Sequence, residues 1–355
     1  MVGISLLTLV PRLSGGSETY ARELVRALAR VGKREYHVFA PSIAPDAGDG
    51  LPSTTVSSYA ASRTMPGRVR AMVVAGAFPG RIRRELRASR FEVLHFPLTI
   101  PIPRGTDVPT ATSILDLQHE LYPDFFSRAE LAYRRIAYRA AVRESRLVIA
   151  ISEHVKETIV ERLGIDAARV RVIHLGLDLE RLIPNEGPRK PFLIYPANGW
   201  PHKNHVNLLK AFELLRRKRP ELQLVLTGSG LEKLPAAEGV ELRGHVPRDE
   251  LVNLYRTAQA LVFPSLYEGF GLPPLEAMAC GCPVAASRAG ALPEICGDAA
   301  RYFDPNDPQD IAAAALEVMT SPEELVKRGL ARSRGFSWDE SARRHDDVYE
   351  ELNAA

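Results

Sequence analysis

Residues 260–287, ALVFPSLYEGFGLPPLEAMACGCPVAAS, carry the reading that decides the fold. The apolar run 260–263 is a short buried strand, closed by Pro264 and Ser265. A glycine loop follows: Glu268, Gly269, Phe270, Gly271 and Leu272. Pro274 suits the first turn of a helix, where its missing N–H is not needed. That helix carries Glu276 near its start, and residues 283–286 form the next apolar run. Strand, loop, helix and strand in this order are the unit of a parallel sheet, because parallel neighbours need a crossover.

Working outward, the same alternation recurs. Residues 192–195 and 222–227 join 260–263 and 283–286 in one series of strands, and 4–9, 36–40, 93–96, 110–115 and 147–151 form an earlier one. A chain of 355 residues exceeds what one core usually fills. The class is therefore α/β, with two doubly wound, Rossmann-like domains. Residues 184–191, PNEGPRKP, cannot continue a helix and suit a surface linker. They divide the chain into an N-terminal domain, 1–185, and a C-terminal domain, 186–335. Residues 336–355 form a closing helix, with Ser337 as N-cap, Asp339 and Glu340 in the first turn, and a packing direction back toward the first domain. Ligands of such sheets bind beyond the carboxyl ends of the strands, which puts the chemistry in a central cleft.

Composition is that of a soluble globular protein, 45% hydrophobic and 25% charged, with no apolar run long enough to cross a bilayer. The apolar start lacks a basic residue ahead of it and runs into Pro11 and Arg12, so it reads as a first buried strand rather than a leader. Three cysteines, Cys280, Cys282 and Cys296, are too few for a disulfide framework and lack metal-site spacing, which fits a reducing cytoplasm. The net charge of +3 is uneven: residues 1–185 hold 26 Lys and Arg against 19 Asp and Glu, and the remainder 20 against 24. The densest basic stretch runs from Arg63 to Arg90, opposed there only by Glu85. It is either a solvated helical face or a patch that approaches anionic lipid at the inner membrane face or an anionic acceptor. Nothing in the pattern suggests nucleic acid.

Two carboxylates flanking a glycine loop at a helix start bring acceptors for sugar hydroxyls and amide donors for phosphate to one place. Two surface glutamates around a turn would look the same. Near the N-terminus, Gly15, Gly16, Ser17 and Glu18 precede a periodic helix with apolar Leu24, Val25, Leu28 and Val31. Here too a phosphate-binding helix start and a plain glycine turn compete. His119 follows the strand 110–115 and so falls at a carboxyl end. His202 and His205 have no acidic or cysteine neighbour and read as structural rather than zinc-binding. Cys280 and Cys282 read as small apolar residues. No Asp-x-Asp triplet is present.

The Glu268…Glu276 spacing, the GGSE loop at Gly15, WPHKN at 200–204, TGSG at 227–230, GHV at 244–246 and AxGxPV ending at Val284 occur in one order. Together they resemble the retaining GT-B glycosyltransferases of family GT4 over nearly the whole chain. The resemblance implies a nucleotide-diphosphate sugar donor, a glycan or lipid-linked acceptor, no cofactor and no metal. By that likeness His119, Lys203 and Glu268 are catalytic, with His119 facing the donor sugar and Lys203 neutralising the departing diphosphate. Glu276 resembles the carboxylate that binds the ribose hydroxyls. Gly269, Phe270, Gly271 and Leu272 would supply amides, Gly15 and Gly16 would approach the phosphates from the other domain, and Gly228, Gly244, His245 and Val246 would line the donor site. Relatives often carry an arginine before the lysine as a second phosphate clamp, but here that stretch is Ala197, Asn198 and Gly199. His202, or an arginine from elsewhere, would have to replace it.

Retention would follow from attack on the same face of an oxocarbenium-like centre. The WPHKN version of the lysine motif resembles mannosyltransferases of bacterial polysaccharide assembly, pointing to GDP-mannose, with a glucose donor as the other guess. Two rivals share the architecture: a nucleotide-sugar epimerase, which needs no acceptor, and a non-catalytic nucleotide-sugar binding protein. A PLP-dependent phosphorylase has no support in the residues. Acceptor choice falls to residues 44–80, which show no readable pattern.

Overall fold

A computed structural model describes residues 1–11, 15–185 and 187–354. The first half runs β1 Val2–Ser5, α1 Gly16–Val31, β2 Tyr36–Pro41, β3 Ser53–Val56, α2 Met65–Ala77, α3 Pro79–Arg87, β4 Val93–Phe96, β5 Thr110–Ile114, α4 Gln118–Leu121, α5 Arg128–Glu144, β6 Leu147–Ala150, α6 Glu153–Leu163 and β7 Val170–Val172. It continues with β8 Lys190–Pro196, α7 His205–Lys218, β9 Gln223–Thr227, β10 Val240–Gly244, α8 Arg248–Thr257, β11 Ala258–Phe263, α9 Leu272–Ala279, β12 Val284–Ser287, α10 Leu292–Cys296, β13 Ala300–Phe303, α11 Pro308–Thr320, α12 Glu323–Ser333 and α13 Trp338–Ala354.

Two compact units result: Met1–Gly176 with Trp338–Ala355, and Leu177–Ser337. Residues 177–185 thus count with the second unit, and Glu186, at the linker boundary read from sequence, lies outside the described residues. The first unit holds a sheet of order β3-β2-β1-β4-β5-β6-β7 and the second one of order β10-β9-β8-β11-β12-β13, parallel throughout. In each sheet the chain starts at an inner strand, builds one edge, then returns to build the other. The order reverses between β1 and β4, and again between β8 and β11. Loops leaving two such strands diverge, which opens a crevice beyond their carboxyl ends.

The inner strands are buried over most of their length because helices cover both faces, and β6 and β11 are also apolar at every position but Gln259. The strand expected over 4–9 is shorter, Val2–Ser5. Leu6, Leu7, Leu9 and Val10 are just as buried but lie in the turn that follows, where Leu9 N donates to Leu6 O at 2.9 Å. Apolarity there marks burial, not extension. Four strands absent from the sequence reading, β3, β7, β10 and β13, are the four sheet edges. An edge strand has one neighbour and a partly wet face, so its sequence lacks the continuous apolar run; β10 has no buried residue.

The closing helix α13 belongs to the first unit and packs along α1. Trp338, Ala342, His345, Tyr349 and Leu352 recur at helical spacing and face inward. Arg30 pairs with Asp339 at 2.6 Å, and Asp346 accepts from Lys33 N at 2.8 Å and from the Tyr36 hydroxyl.

Candidate functional site

In the second unit, the loops leaving β8 and β11 meet beside the strand-order reversal. Residues 197–203 follow β8 and end in a turn at Pro201–Lys203. Asn204 next to it holds φ at 58°, a left-handed conformation that Asn tolerates, and its Nδ2 donates to Pro264 O at 3.1 Å and Pro305 O at 2.7 Å. Tyr195 donates its hydroxyl to Lys203 O at 2.7 Å, and Leu266 N donates to His202 O at 2.7 Å. These bonds fix the lysine loop against the glycine loop. The consequence is an ion pair that the sequence did not suggest: Lys203 Nζ to Glu268 Oε1, 2.6 Å, each side chain 14% exposed.

The backbone of Glu268 is held from the far side as well. Ala291 N donates to its carbonyl at 3.0 Å, and Gly290, at φ 56°, lies so close that a Cβ would collide with Glu268 O and N. Gly271, at φ 114°, caps α9, and a Cβ there would sit 2.6 Å from Leu292 Cδ2. Pro273 and Pro274 remove two N–H groups from the first turn of α9. What that end offers an anion is the Leu272 amide together with the loop before it. Phe270 is buried, edge-on to Phe336 at 5.8 Å.

Glu276 is nearly covered. Its Oε1 meets Arg248 at 2.7 Å, and its Oε2 accepts from the Tyr255 hydroxyl at 3.1 Å. Burial is the largest influence on both partners, raising the Tyr255 pKa and opposing the rise at Arg248, and the Glu276 carboxylate then raises both. Gly228, at φ 136°, donates its N–H to Gly244 O at 2.7 Å, and a Cβ on it would lie 2.5 Å from Ala197 O. Gly244, at φ 62°, faces open space; His245 beyond it is exposed and Val246 half-buried.

Residues 197–199, where the resemblance led to the expectation of an arginine, are used differently here. Gly199 N donates to Ser229 O at 2.8 Å, Ser229 N donates to Asn198 Oδ1 at 2.8 Å, and any Cβ on Gly199 would strike Gly230 O. Backbone contact occupies the space a side chain at 199 would need. His202 does not supply the missing charge in this state: burial first, then Lys203 and His205, push its pKa down to about 3, so the ring is neutral near pH 7. His205, on α7, packs on Tyr195 at 5.0 Å and is likewise lowered, to about 4, chiefly by burial.

Three of the candidate residues lie in the first unit. Gly15, at φ 49°, is the N-cap of α1 and its carbonyl accepts from Glu18 N at 3.1 Å; both Gly15 and Gly16 border open space. His119, on α4 after β5, is fully buried against the Tyr138 ring at 4.5 Å, and neither ring nitrogen has a hydrogen-bond partner. Burial, then Arg134 and Arg135, lower its pKa to about 4, so it is a neutral ring with unused donor and acceptor capacity.

Residues 14–181 match the family described as Glycosyltransferase Family 4, and residues 179–331 match Glycosyl transferases group 1. The chain is a glycosyltransferase of the GT-B fold, related to these families. This glycosyltransferase is 29% identical over 271 residues to O-antigen chain mannosyltransferase B of Escherichia coli, covering 68% of this chain and 70% of that one. It is 36% identical over 223 residues to the MMP alpha-(1->4)-mannosyltransferase of Mycolicibacterium hassiacum, covering 58% of this chain and 54% of the relative. The chain therefore spans between half and about two thirds of the length of these curated relatives. Among solved structures, it superposes on sucrose-phosphate synthase from Thermosynechococcus elongatus with a TM-score of 0.78 at 20% identity, covering 99% of both chains. The Anabaena protein HepE, solved with UDP and glucose, gives 0.72 at 16% identity, covering 98% of this chain and 99% of that one. At these identities the likeness is one of fold.

Proposed function

We propose that the chain transfers a hexose from a nucleotide-diphosphate sugar to a glycan or lipid-linked acceptor with retention of configuration, using Lys203, Glu268 and the glycine loop. The observation that carries this reading is the Lys203–Glu268 pair at 2.6 Å beside Gly269–Leu272. In the free protein the carboxylate occupies the ammonium. An incoming diphosphate, with more charge, takes the ammonium over and frees Glu268 to accept hydrogen bonds from the donor sugar. As the C1–O bond lengthens, Lys203 and the loop amides stabilise the departing diphosphate. The acceptor oxygen bonds to C1 from the same face, and its proton passes to the leaving phosphate oxygen. Glu276, steadied by Arg248 and Tyr255, binds the ribose hydroxyls, and Gly228, Gly244, His245 and Val246 border the base; in the first unit, Gly15 and Gly16 border open space, which suits a role for their amides toward an anion. The unpartnered nitrogens of His119 are the chemical support for a sugar contact there.

Mannose is the first donor reading, since the E. coli and Mycolicibacterium relatives are mannosyltransferases by name; glucose is the second. Thermal stabilisation by a panel of nucleoside diphosphates and their sugars tests this. A shift with one diphosphate and its sugar, absent in Glu276→Ala, supports the assignment; no shift with any of them removes it.

The same reading extends to a cytoplasmic enzyme at an anionic membrane face, supported by α2 and its junction with α3. Val69, Val73, Val74 and Phe78 are exposed there, Val73 and Phe78 by about two thirds, among exposed Arg63, Arg70, Arg81 and Arg84. Apolar side chains ringed by cations suit an anionic bilayer surface. Arg87 is paired with Asp107 and Arg83 with the Arg104 carbonyl, so they are less available. Vesicles with and without phosphatidylserine, tested against Val73→Ser/Phe78→Ser, check this: equal sedimentation of both proteins would end it.

A further inference from the structure

A cavity of about 540 Å³ lies in the first unit at the amino ends of β5 and β6, the opposite end of that sheet from the carboxyl ends where His119 follows β5. One wall is the loop that crosses from β4 to β5, with Pro101, Pro103, Val108 and Pro109, backed by Phe96. The other is the end of α5 and the start of β6, with Arg143, Ser145, Arg146 and, behind them, Arg169.

The charges around it do not cancel. Carbonyls at the end of α5 would normally attract cations, but they are already satisfied: Arg169 donates to Val142 O at 2.7 Å and Ser145 O at 2.5 Å, and Thr110 Oγ1 donates to Glu144 O at 3.3 Å. The one acidic side chain in the lining, Glu144, is neutralised by Arg104. Arg143 and Arg146 remain, both exposed and without an acidic partner among the described residues. Ser145 between them is buried, and its Oγ has no hydrogen-bond partner. Buried hydroxyls in native proteins are nearly always satisfied, so an unsatisfied one in a cavity wall marks a place where a polar group from outside belongs.

We infer that this cavity is a second ligand site, separate from the donor site, for a small phosphomonoester with an apolar or sugar-sized body. The phosphate lies between Arg143 and Arg146 and the body lies against the prolines and Phe96. Its volume is within the range of metabolite pockets. Two guanidinium groups suit phosphate oxygens because each presents a planar fork of donors.

The test uses phenyl phosphate and inorganic phosphate with the full chain, titrated by calorimetry in the presence of a saturating nucleoside diphosphate so that the donor site is filled. Two double variants of equal charge are compared, Arg143→Ala/Arg146→Ala and Arg162→Ala/Arg344→Ala; all four arginines are at the surface, so the fold is retained. The expected result is saturable binding of phenyl phosphate with a dissociation constant on the order of 1 mM or below, weakened at least about tenfold in the first variant and unchanged in the second. Inorganic phosphate should bind more weakly, since it lacks the apolar body. Equal weakening in both variants would reduce the effect to diffuse charge and overturn the proposal. Wild-type affinity in the first variant, or no saturation up to about 10 mM, would overturn it as well.

Discussion

Tyr20 donates its hydroxyl hydrogen to Nε2 of His345, 3.0 Å away, and this bond sets the direction of a buried chain that ties α13 to the sheet of the first unit. His345 Nδ1 lies 2.7 Å from Ser341 O, which can only accept, so Nδ1 carries the hydrogen and Nε2 is the acceptor. Tyr20 Oη then accepts from Ser113 at 2.7 Å, Ser113 Oγ accepts from His95 Nε2 at 2.8 Å, and His95 Nδ1 accepts from Tyr349 at 2.8 Å. Each hydrogen is used once. Both rings must be neutral, since a second proton on either turns an acceptor into a donor facing a hydroxyl.

That neutrality predicts acid sensitivity. Burial lowers the His345 pKa from 6.5 to about 4 and puts His95 well below its ordinary value, with His345 adding to the effect. A depressed folded-state pKa means that the unfolded chain binds more protons between the two values. The stabilisation is complete above about pH 6.5 and is lost as pH falls toward 4. His345 alone accounts for a loss of about 2 kcal/mol by pH 5. Urea midpoints at pH 7.5 and pH 5 measure it, and a pH-independent midpoint would refute the neutral pair.

Tyr20→Phe interrupts the same chain without changing its volume much. Nε2 of His345 and the hydroxyl of Ser113 each lose a partner in a site with no access to water. The expected cost is about 1–3 kcal/mol of stability, read as a lower urea midpoint with an unchanged slope. Turnover per folded molecule should stay near that of the parent.

At the proposed site, Lys203→Ala should lower kcat by a factor on the order of 100 to 1000, the range for removing one preorganised stabiliser of a developing anion. Its effect on stability should be smaller, because Glu268 retains some access to solvent and can be hydrated. Lys203→Arg is not equivalent: a fork replaces a compact ammonium 2.6 Å from a carboxylate, and only partial activity should return. Steady-state rates with the donor found by thermal shift decide the matter.

Arg248 was not legible as a site residue because its meaning depends on proximity in the fold. Arg248→Ala should weaken nucleotide binding about five- to tenfold, roughly 1–1.4 kcal/mol, while kcat at saturating donor stays close to the parent value. Glu276 then keeps only the Tyr255 bond, and its carboxylate must be ordered at the expense of ligand binding. If the affinity tightened instead, Arg248 would be a competitor for Glu276 rather than its support.

The contrast runs through the whole chain. Inner strands such as Val93–Phe96 announce themselves because both faces are covered, whereas Ser53–Val56 and Val240–Gly244 gain their conformation from one neighbour each and carry no such pattern. Residues 44–80 were unreadable for the same reason: they hold an edge strand and a helix, α2, whose exposed valines obscure its periodicity. At the site, Glu268, Glu276 and the glycines are recognisable from type and spacing. The ion pairs that join Glu268 to Lys203 and Glu276 to Arg248 are not, since nothing local in sequence links them.

Gly290 shows how a residue far from the glycine loop can control it. It lies after β12, and its positive φ of 56° already favours glycine, but the stronger constraint is contact: a Cβ there would run into the backbone O and N of Glu268. Backbone cannot rotate away as a side chain tip can. Gly290→Ala must therefore push residues 268–271 outward, stretching the bond from Ala291 N to Glu268 O and the ion pair to Lys203. The expected outcome is a stability loss of about 2–4 kcal/mol, the strain of an incompatible φ added to overpacking, together with a fall in kcat beyond what the folded fraction explains. Gly80→Ala is the control, since a Cβ at Gly80 meets open space on α3 and φ there is not positive. It should leave rate and stability nearly unchanged. Equal behaviour of the two variants in thermal melts and in rates per folded molecule would mean that the glycine loop tolerates displacement, and that Glu268 need not be held where this structure has it.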